Sequence, residues 1–200
     1  MQKIEEKNIR PDHKAIARIV KNGSSVLDLG CGNGDLLYLL TNTKDVKGQG
    51  IEIDDRAIFE CVEKGLSVFH GDIDSGLADY RDKSFDYVIL NQSLQQVAHI
   101  DNVITDSLRV GKKVIVGVPN FAYYKSRLQV LLQGKMPVTS SLPYSWFDTP
   151  NVRFLTIRDF ADYCRDKKIR IEKKVFVGET KKVFIFPNLF ANVGIFVLSR

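Results

Sequence analysis

The chain has 200 residues, of which 44% are hydrophobic, and its net charge at pH 7 is +5. This apolar content is sufficient for one compact core and the length is short for two, so we predict a single domain over residues 1–200. The positive excess lies in residues 165–182, which hold eight basic and three acidic side chains, and this position late in the chain argues against a nucleic-acid partner.

A glycine-rich loop follows the first predicted strand. The segment Val26–Gly34 reads Val-Leu-Asp-Leu-Gly-Cys-Gly-Asn-Gly, and a helical pattern of leucines begins at Leu36. Glycines at such a strand-to-helix turn let a ligand lie against the main chain at a helix N-terminus. The third glycine comes one residue too early for the dinucleotide motif, and the carboxylate of Asp28 would repel a pyrophosphate. We therefore predict a nucleoside cofactor with positive charge, such as S-adenosylmethionine or its product S-adenosylhomocysteine, bound by Asp28, Gly30, Cys31, Gly32 and Gly34.

Three further predicted strands each place a polar side chain at or near their carboxyl ends. They cover Val46–Ile53, Leu66–Ile73 and Ser84–Asn91. In open α/β sheets these ends form the ligand crevice, and an acid about 20 residues past the glycine loop binds the ribose. We expect Asp28 near the amino group of the cofactor, Glu52 on the ribose hydroxyls, and Asp72 with Ile73 against the adenine. The other predicted cofactor-binding residues at these ends are Ile53 and Asn91.

The remaining pattern alternates helices and strands, as a doubly wound sheet does. Helices are predicted with N-caps at Asp12, at Asp54 or Asp55, at Asp101 and at Thr156. A buried strand is predicted over Val114–Pro119. The segments Ile169–Val177 and Ala191–Leu198 are predicted to form a closing hairpin.

Residues 121–154 interrupt this alternation. The segment mixes prolines with the aromatic residues Phe121, Tyr123, Tyr124, Trp146, Phe147 and Phe154. A connection this long inside a compact domain is usually functional. It follows the fifth strand at the cofactor edge of the sheet, so we predict a lid or a partner-docking insertion. The alternative is that its aromatic residues only form a satellite core.

The sequence does not identify catalytic residues. S-adenosylmethionine, the predicted cofactor, carries a transferable methyl group on its sulfonium. Transfer of that group needs little more than an acceptor held in line with it, because proximity supplies much of the acceleration. The histidines are His13, His70 and His99, and each is more simply explained as structural. They lack the spacing of metal ligands, so no metal site is predicted. The segment Asn91–Leu94 also differs from the Pro-Pro-aromatic motif of methylases that act on base amines.

The chain resembles the class I S-adenosylmethionine-dependent methyltransferases and, more narrowly, the MetW family of methionine biosynthesis proteins. The glycine loop is common to the whole class, whereas the segment running to Trp146 and Asn151 is much more particular to MetW. The similarity covers roughly Ile9 to Val177. The segments that carry it are Arg10–His13, Gly50–Asp55, Gly71–Leu77, Phe85–Gln95, Arg109–Gly111, Val118–Phe121, Gly134–Thr139 and Leu142–Asn151.

This resemblance implies an α/β, Rossmann-like fold with a mostly parallel sheet, helices on both faces and an antiparallel closing strand. It also implies association with homoserine O-acyltransferase, so that the chain would be an S-adenosylmethionine-binding accessory or regulatory subunit in methionine biosynthesis. The alternative is a methyltransferase that acts on a small molecule, and a nucleic-acid methylase is the least favoured reading.

The sequence also predicts a cytoplasmic location. Residues 1–7 lack the apolar segment of a signal peptide. Three cysteines without a CxxC pair are typical of reduced thiols. The apolar stretch Val183–Leu198 is shorter than the ~20 residues of a membrane-spanning helix and is interrupted by polar residues and a proline, so no membrane partner is expected.

Overall fold

The computed structural model describes residues 9–200, so the charged opening of residues 1–7 lies outside the described residues. Seven strands form one sheet in the order β3-β2-β1-β4-β5-β7-β6. The strands are β1 (Ser25–Leu29), β2 (Lys47–Glu52), β3 (Ser67–His70), β4 (Phe85–Asn91), β5 (Gly111–Pro119), β6 (Arg170–Val177) and β7 (Val193–Ser199). The helices are α1 (Pro11–Ala17), α2 (Asp35–Lys44), α3 (Asp55–Glu63), α4 (Ile100–Val110), α5 (Tyr124–Gln133), α6 (Ile157–Asp166) and α7 (Pro187–Phe190).

Helices cover both faces of the sheet, because alternate residues of the central strands face opposite sides. On β4, Val88 and Leu90 pack in a core cluster with residues of α4 and α6. Tyr87 and Ile89 pack in a second cluster with residues of α1 and α2. A strand buried on both faces accounts for the continuous apolar run in this part of the sequence.

The closing strands confirm the predicted antiparallel end of the sheet. Strand β7 lies between β5 and β6 and is antiparallel to both, whereas the first five strands pair in parallel. The α/β fold with a mostly parallel sheet is therefore confirmed. The connection from β6 to β7 is longer than a hairpin turn and contains the short helix α7.

Two of the four predicted helix caps are present and two are not. Asp54 caps α3 by accepting hydrogen bonds from two main-chain N–H groups, and Thr156 forms a capping box with Asp159 at the start of α6. Helix α1 instead begins at Pro11, whose fixed φ suits the first helical position, so Asp12 lies within the first turn. Asp101 likewise lies inside α4, where its carboxylate accepts a hydrogen bond from Tyr163.

The insertion 121–154 contains α5 and then a largely irregular segment that returns to the sheet edge. Its end is anchored after β4, because the main-chain carbonyl of Gln95 accepts hydrogen bonds from the N–H groups of Val152 and Arg153. The Arg153 guanidinium also donates to the carbonyls of Val97 and Ala98. These bonds hold the insertion beside the carboxyl ends of the central strands. Across residues 9–200, no helix is both long and apolar enough to cross a membrane.

A candidate cofactor site at the strand ends

A cavity of about 910 Å³ opens at the carboxyl edge of the sheet, within the size range of small-molecule sites. Helix α1, the glycine loop, the ends of β2, β3 and β4, and the insertion all contribute to its walls. The structure brings nine of the ten predicted site residues to this cavity: Asp28, Gly30, Cys31, Gly32, Glu52, Ile53, Asp72, Ile73 and Asn91.

The three glycines of the loop have different surroundings, although all three have positive φ. A Cβ at Gly32 would meet no atom within 4 Å, so the space above this residue is open. A Cβ at Gly30 would lie 2.7 Å from Cβ of Ser93. Gly34 does not line the cavity, and a Cβ there would lie 2.5 Å from Leu66 and 2.7 Å from the sulfur of Cys61. Gly32 is thus suited to ligand contact, and Gly34 to packing against α3.

Glu52 at the end of β2 is bound to the glycine loop. Its Oε2 accepts a hydrogen bond from the N–H of Gly32 at 2.7 Å. Its Oε1 accepts from the N–H groups of Ile53 at 2.8 Å and Asp54 at 3.0 Å. A carboxylate has about four lone-pair sites, so one remains for a ribose hydroxyl. Glu52 therefore both fixes the loop and faces the cavity.

Asp28 is the most deeply buried acid of the site, with 2% of its surface exposed. Burial, followed by the nearby charge of Glu52, raises the pKa of its carboxyl to about 7. A carboxylate in this position is stabilised by a cation, because an opposite charge at short range favours the ionised form. The ammonium group of an amino-acid moiety would provide that cation.

The wall expected to face adenine combines apolar and acceptor groups. Ile53 is 59% exposed beside the cavity, and Ile73 lines the cavity three residues after the end of β3. One carboxylate oxygen of Asp72 accepts a hydrogen bond from the N–H of Asp74, which leaves the second oxygen for a ligand. An adenine ring with an exocyclic amine matches these surfaces.

Helix α1 is held over the cavity by a network that the sequence did not reveal. Asp12 accepts two hydrogen bonds from Arg10 and one each from the side-chain amides of Asn91 and Gln92, both at 2.9 Å. Burial opposes ionisation of Asp12, but the charges of His13 and Arg10 and the hydrogen bonds from Arg10 and Asn91 lower the pKa of its carboxyl below the usual value. Asp12 was expected to cap α1, and it instead connects this helix to the end of β4.

The side chain of Asn91 is positioned by strand β5 as well. Gly117 is the register partner of Asn91, and a Cβ at Gly117 would come within 2.1 Å of the Asn91 side-chain oxygen. The missing side chain at Gly117 therefore leaves room for the Asn91 amide, whose Nδ2 reaches Asp12. Asn91 thus serves helix α1 in addition to lining the cavity.

Of the three histidines, His13 lines the cavity, and only 6% of its surface is exposed. Burial lowers its pKa to about 4, despite the opposing charge of Asp12. The imidazole is therefore neutral at pH 7 and a weak proton acceptor. His70 and His99 are exposed and do not line the cavity.

The charge of the cavity fits a cationic nucleoside cofactor. Eight carboxylates line it, whereas Arg10 is the one Lys or Arg side chain among the described lining residues, and it is paired with Asp12. Burial raises the pKa of the Cys31 thiol far above its usual value. The thiol therefore stays protonated and neutral at pH 7, and it lines the cavity without acting as a nucleophile. In the part of the chain that the structure describes, no three His, Cys, Asp or Glu side chains form a metal-binding group.

The sequence of the chain matches a known protein family. The MetW family, described as methionine biosynthesis protein MetW, matches residues 10–198. A bifunctional methionine biosynthesis protein MetXA/MetW from Rhodopirellula baltica is 34% identical over 94% of this chain. The chain spans only 32% of the length of that relative.

Solved structures with the same fold include S-adenosylmethionine-dependent methyltransferases. One from Archaeoglobus fulgidus has a TM-score of 0.68 at 15% identity and covers 94% of each chain. A TehB-like S-adenosylmethionine-dependent methyltransferase from Corynebacterium glutamicum has a TM-score of 0.65 at 14% identity, with 96% of this chain and 89% of that chain covered. At these identities the likeness establishes the Rossmann-like methyltransferase fold.

Proposed function

This chain belongs to the MetW family of methionine biosynthesis proteins, and from that premise we propose that it binds S-adenosylmethionine and acts with homoserine O-acyltransferase as an accessory or regulatory subunit. The observation that carries the cofactor half of this proposal is that Asp28 and Glu52 line the same cavity as Gly32, above which the space is open. Asp28 offers a buried partner for an ammonium, and Glu52 offers an acceptor for ribose hydroxyls. S-adenosylmethionine, when bound, supplies a methyl group on a sulfonium.

Two features support the partner half of the proposal. The relative from Rhodopirellula baltica joins MetXA and MetW in one protein, and the resemblance to MetW implies homoserine O-acyltransferase as the associated enzyme. The insertion 121–154 also exposes apolar side chains, among them Trp146 and Phe147, each 73% exposed. Aromatic side chains of this kind dominate binding energies at interfaces. The insertion is thus our candidate for the docking element.

A second candidate function is methyl transfer to a small molecule. The cavity is large enough to hold more than the nucleoside, and methyl transfer by proximity does not require a base. The state of His13 weighs against a base-dependent reaction, since an imidazole with a pKa of about 4 accepts a proton weakly at pH 7. We therefore place the regulatory role first and small-molecule methylation second.

One experiment tests both functions. The rate of homoserine O-acyltransferase is measured with and without this chain while the concentration of S-adenosylmethionine is varied, and calorimetry gives the cofactor affinity in parallel. The regulatory function predicts a saturable change in rate that is half-maximal at a cofactor concentration equal to the measured dissociation constant. Turnover of labelled S-adenosylmethionine on small-molecule acceptors, without any effect on the acyltransferase, would favour the second function. Absence of cofactor binding would contradict both.

A further inference from the structure

Helix α5 turns its apolar side away from the rest of the protein. Four of its large side chains have the spacing i, i+4, i+7 and i+8 and therefore share one side of the helix: Tyr124, Leu128, Leu131 and Leu132. Ser126 lies on the opposite side, and it is the residue of α5 that is buried. Leu131 and Leu132 are 78% and 75% exposed. The usual arrangement of a surface helix, with its apolar side against the core, is thus reversed.

The connection between β6 and β7 continues this apolar side. The ring of Tyr124 lies 6.1 Å from the ring of Phe190 in α7, measured between centroids. The N–H of Phe190 donates to the carbonyl of Phe186 at 3.1 Å, so these two residues are one helical turn apart. Phe184, Ile185 and Phe186 are consecutive, and each is more than 70% exposed. We call the four residues of α5 together with Phe184, Ile185, Phe186 and Phe190 the α5–α7 surface.

The α5–α7 surface has the form of an interaction site. Single exposed apolar side chains are common on proteins, whereas contiguous groups of large ones mark binding surfaces. A helix with apolar anchors at i, i+4 and i+7 is also the form in which amphipathic helices enter an apolar groove. The surface therefore fits a partner that offers such a groove.

The charges around the α5–α7 surface specify the rim of that groove. Residues 121–147 hold three basic side chains and no acidic one, and residues 180–190 hold Lys181 and Lys182 and no acidic one. Two copies of this chain would bring like charges together, which disfavours self-association through this surface. A groove with carboxylates around it would be complementary in charge.

One ion pair connects the α5–α7 surface to the cofactor cavity. Lys125 on α5 is paired with Glu179 at 2.6 Å, and Glu179 lines the cavity. A partner that docks on α5 would therefore lie beside the cavity wall. This position suits a subunit whose effect on its partner depends on the bound cofactor.

We propose that the α5–α7 surface docks into an apolar groove with an acidic rim on homoserine O-acyltransferase. The inference rests on the proposed function, which supplies the partner, and it adds the surface and the chemistry that the partner must present. A protein is favoured over an anionic membrane because the relative from Rhodopirellula baltica joins MetXA and MetW in one chain.

Charged substitutions within the surface test the apolar contact. Leu131→Asp and Phe184→Asp are each expected to weaken binding of the acyltransferase to the full-length protein by at least tenfold, measured by calorimetry. The matched control is Val62→Asp, since Val62 is an aliphatic residue of α3 that is 60% exposed. All three variants should melt within a few degrees of wild type, because these side chains lie outside the core. Wild-type affinity in either surface variant, or an equal loss in the control, would overturn the inference.

A second pair of variants tests the acidic rim. Lys182→Glu should weaken the complex, and the affinity of the wild type should fall as salt is raised from about 0.05 M to about 0.5 M, because salt screens exposed charges. Lys21→Glu makes the same charge change at an exposed lysine before β1, at the opposite edge of the sheet, and should bind as wild type. An affinity that is independent of both salt and Lys182 would contradict the acidic rim.

The remaining outcomes separate this inference from the proposed function. If the acyltransferase binds the wild type and both surface variants equally, the α5–α7 surface is wrong and the proposed partner stands. If it does not bind the wild type, the partner half of the proposed function fails together with this surface, while titration of S-adenosylmethionine still tests the cofactor half. Self-association in sedimentation, or binding to phosphatidylglycerol vesicles, that is lost in Leu131→Asp would assign the surface to a second copy or to a membrane and overturn the inference.

Discussion

Glu52 is hydrogen-bonded directly to the glycine loop, because its carboxylate accepts a hydrogen bond from the N–H group of Gly32 at 2.7 Å. The neighbouring residue of β2 holds the same loop, because the main-chain carbonyl of Ile51 accepts hydrogen bonds from the N–H groups of Gly30 and Cys31. The end of β2 therefore determines the shape of the glycine loop. A change at the predicted ribose acid should affect both ligand binding and the order of the loop.

Glu52→Ala is expected to lower the affinity for S-adenosylmethionine by about tenfold or more. Hydrogen bonds to a charged group contribute about 1.5–3 kcal/mol, and the variant also releases the Gly32 N–H group. Calorimetry measures the affinity. Glu60→Ala, which removes an exposed acid on α3, is the matched control and should bind as wild type. Unchanged affinity in Glu52→Ala, or comparable binding of NAD by the wild type, would contradict the assignment.

Substitution of Gly32 and of Gly34 by valine is expected to give two different phenotypes. Gly32→Val should fold and lose S-adenosylmethionine binding, because its side chain would enter the open space above the loop. Gly34→Val should mainly lose stability, since its side chain would collide with Leu66 and Cys61. Either valine also lowers the free energy of unfolding by about 1–2 kcal/mol, because the main chain at both positions is left-handed.

Thermal melting and cofactor titration on the same two variants distinguish these outcomes. We expect the melting temperature of Gly34→Val to fall further than that of Gly32→Val. Wild-type cofactor affinity in folded Gly32→Val would show that the ligand does not approach this part of the loop.

The sequence predicted the strands and their ends, but it did not predict all the contacts that shape the site. Local patterns were sufficient for the strand ends, because a glycine loop after an apolar strand and acids at successive ends are features of short segments. The role of Gly34 depends on Leu66 and Cys61, which are distant in sequence, and the role of Asp12 depends on Asn91. Contacts of this kind follow from the sheet order and leave no periodic signal in the sequence.

Asp28 and His13 predict opposing effects of pH on stability. Asp28 has a folded pKa of about 7, above its usual value of 3.8, so stability falls as pH rises between these values. His13 has a folded pKa of about 4, below its usual value of 6.5, so stability rises with pH over that range. The two effects nearly cancel from pH 4.5 to 6.5 in the wild type.

Single variants should separate these two contributions. In Asp28→Asn the free energy of unfolding should rise by about 2 kcal/mol between pH 4.5 and 6.5, because only the His13 effect remains. In His13→Gln it should fall by about 2 kcal/mol over the same interval, because only the Asp28 effect remains. Urea denaturation at several pH values measures these changes. Identical pH profiles for the wild type and both variants would show that neither group titrates as its burial implies.

Trp146 provides the last prediction, which tests the proposed docking role of the insertion. Its side chain is 73% exposed and contacts Phe147 edge to face, with 5.8 Å between the ring centroids. Loss of an exposed side chain leaves the core intact, so Trp146→Ala should melt within a few degrees of wild type. If Trp146 is a hot spot for homoserine O-acyltransferase, its removal should weaken the complex by about 2 kcal/mol or more.

Stability and partner affinity are measured on the same Trp146→Ala protein, with Phe59→Ala as the matched control. Phe59 is a comparably exposed aromatic residue, 64% exposed, but it lies on α3 rather than in the insertion. Docking through the insertion predicts weakened association for Trp146→Ala alone, and in the wild type a change in Trp146 fluorescence when the acyltransferase is added. A lower melting temperature with unchanged partner affinity would instead assign Trp146 to a satellite core and remove the part of the insertion around Trp146 as a docking element.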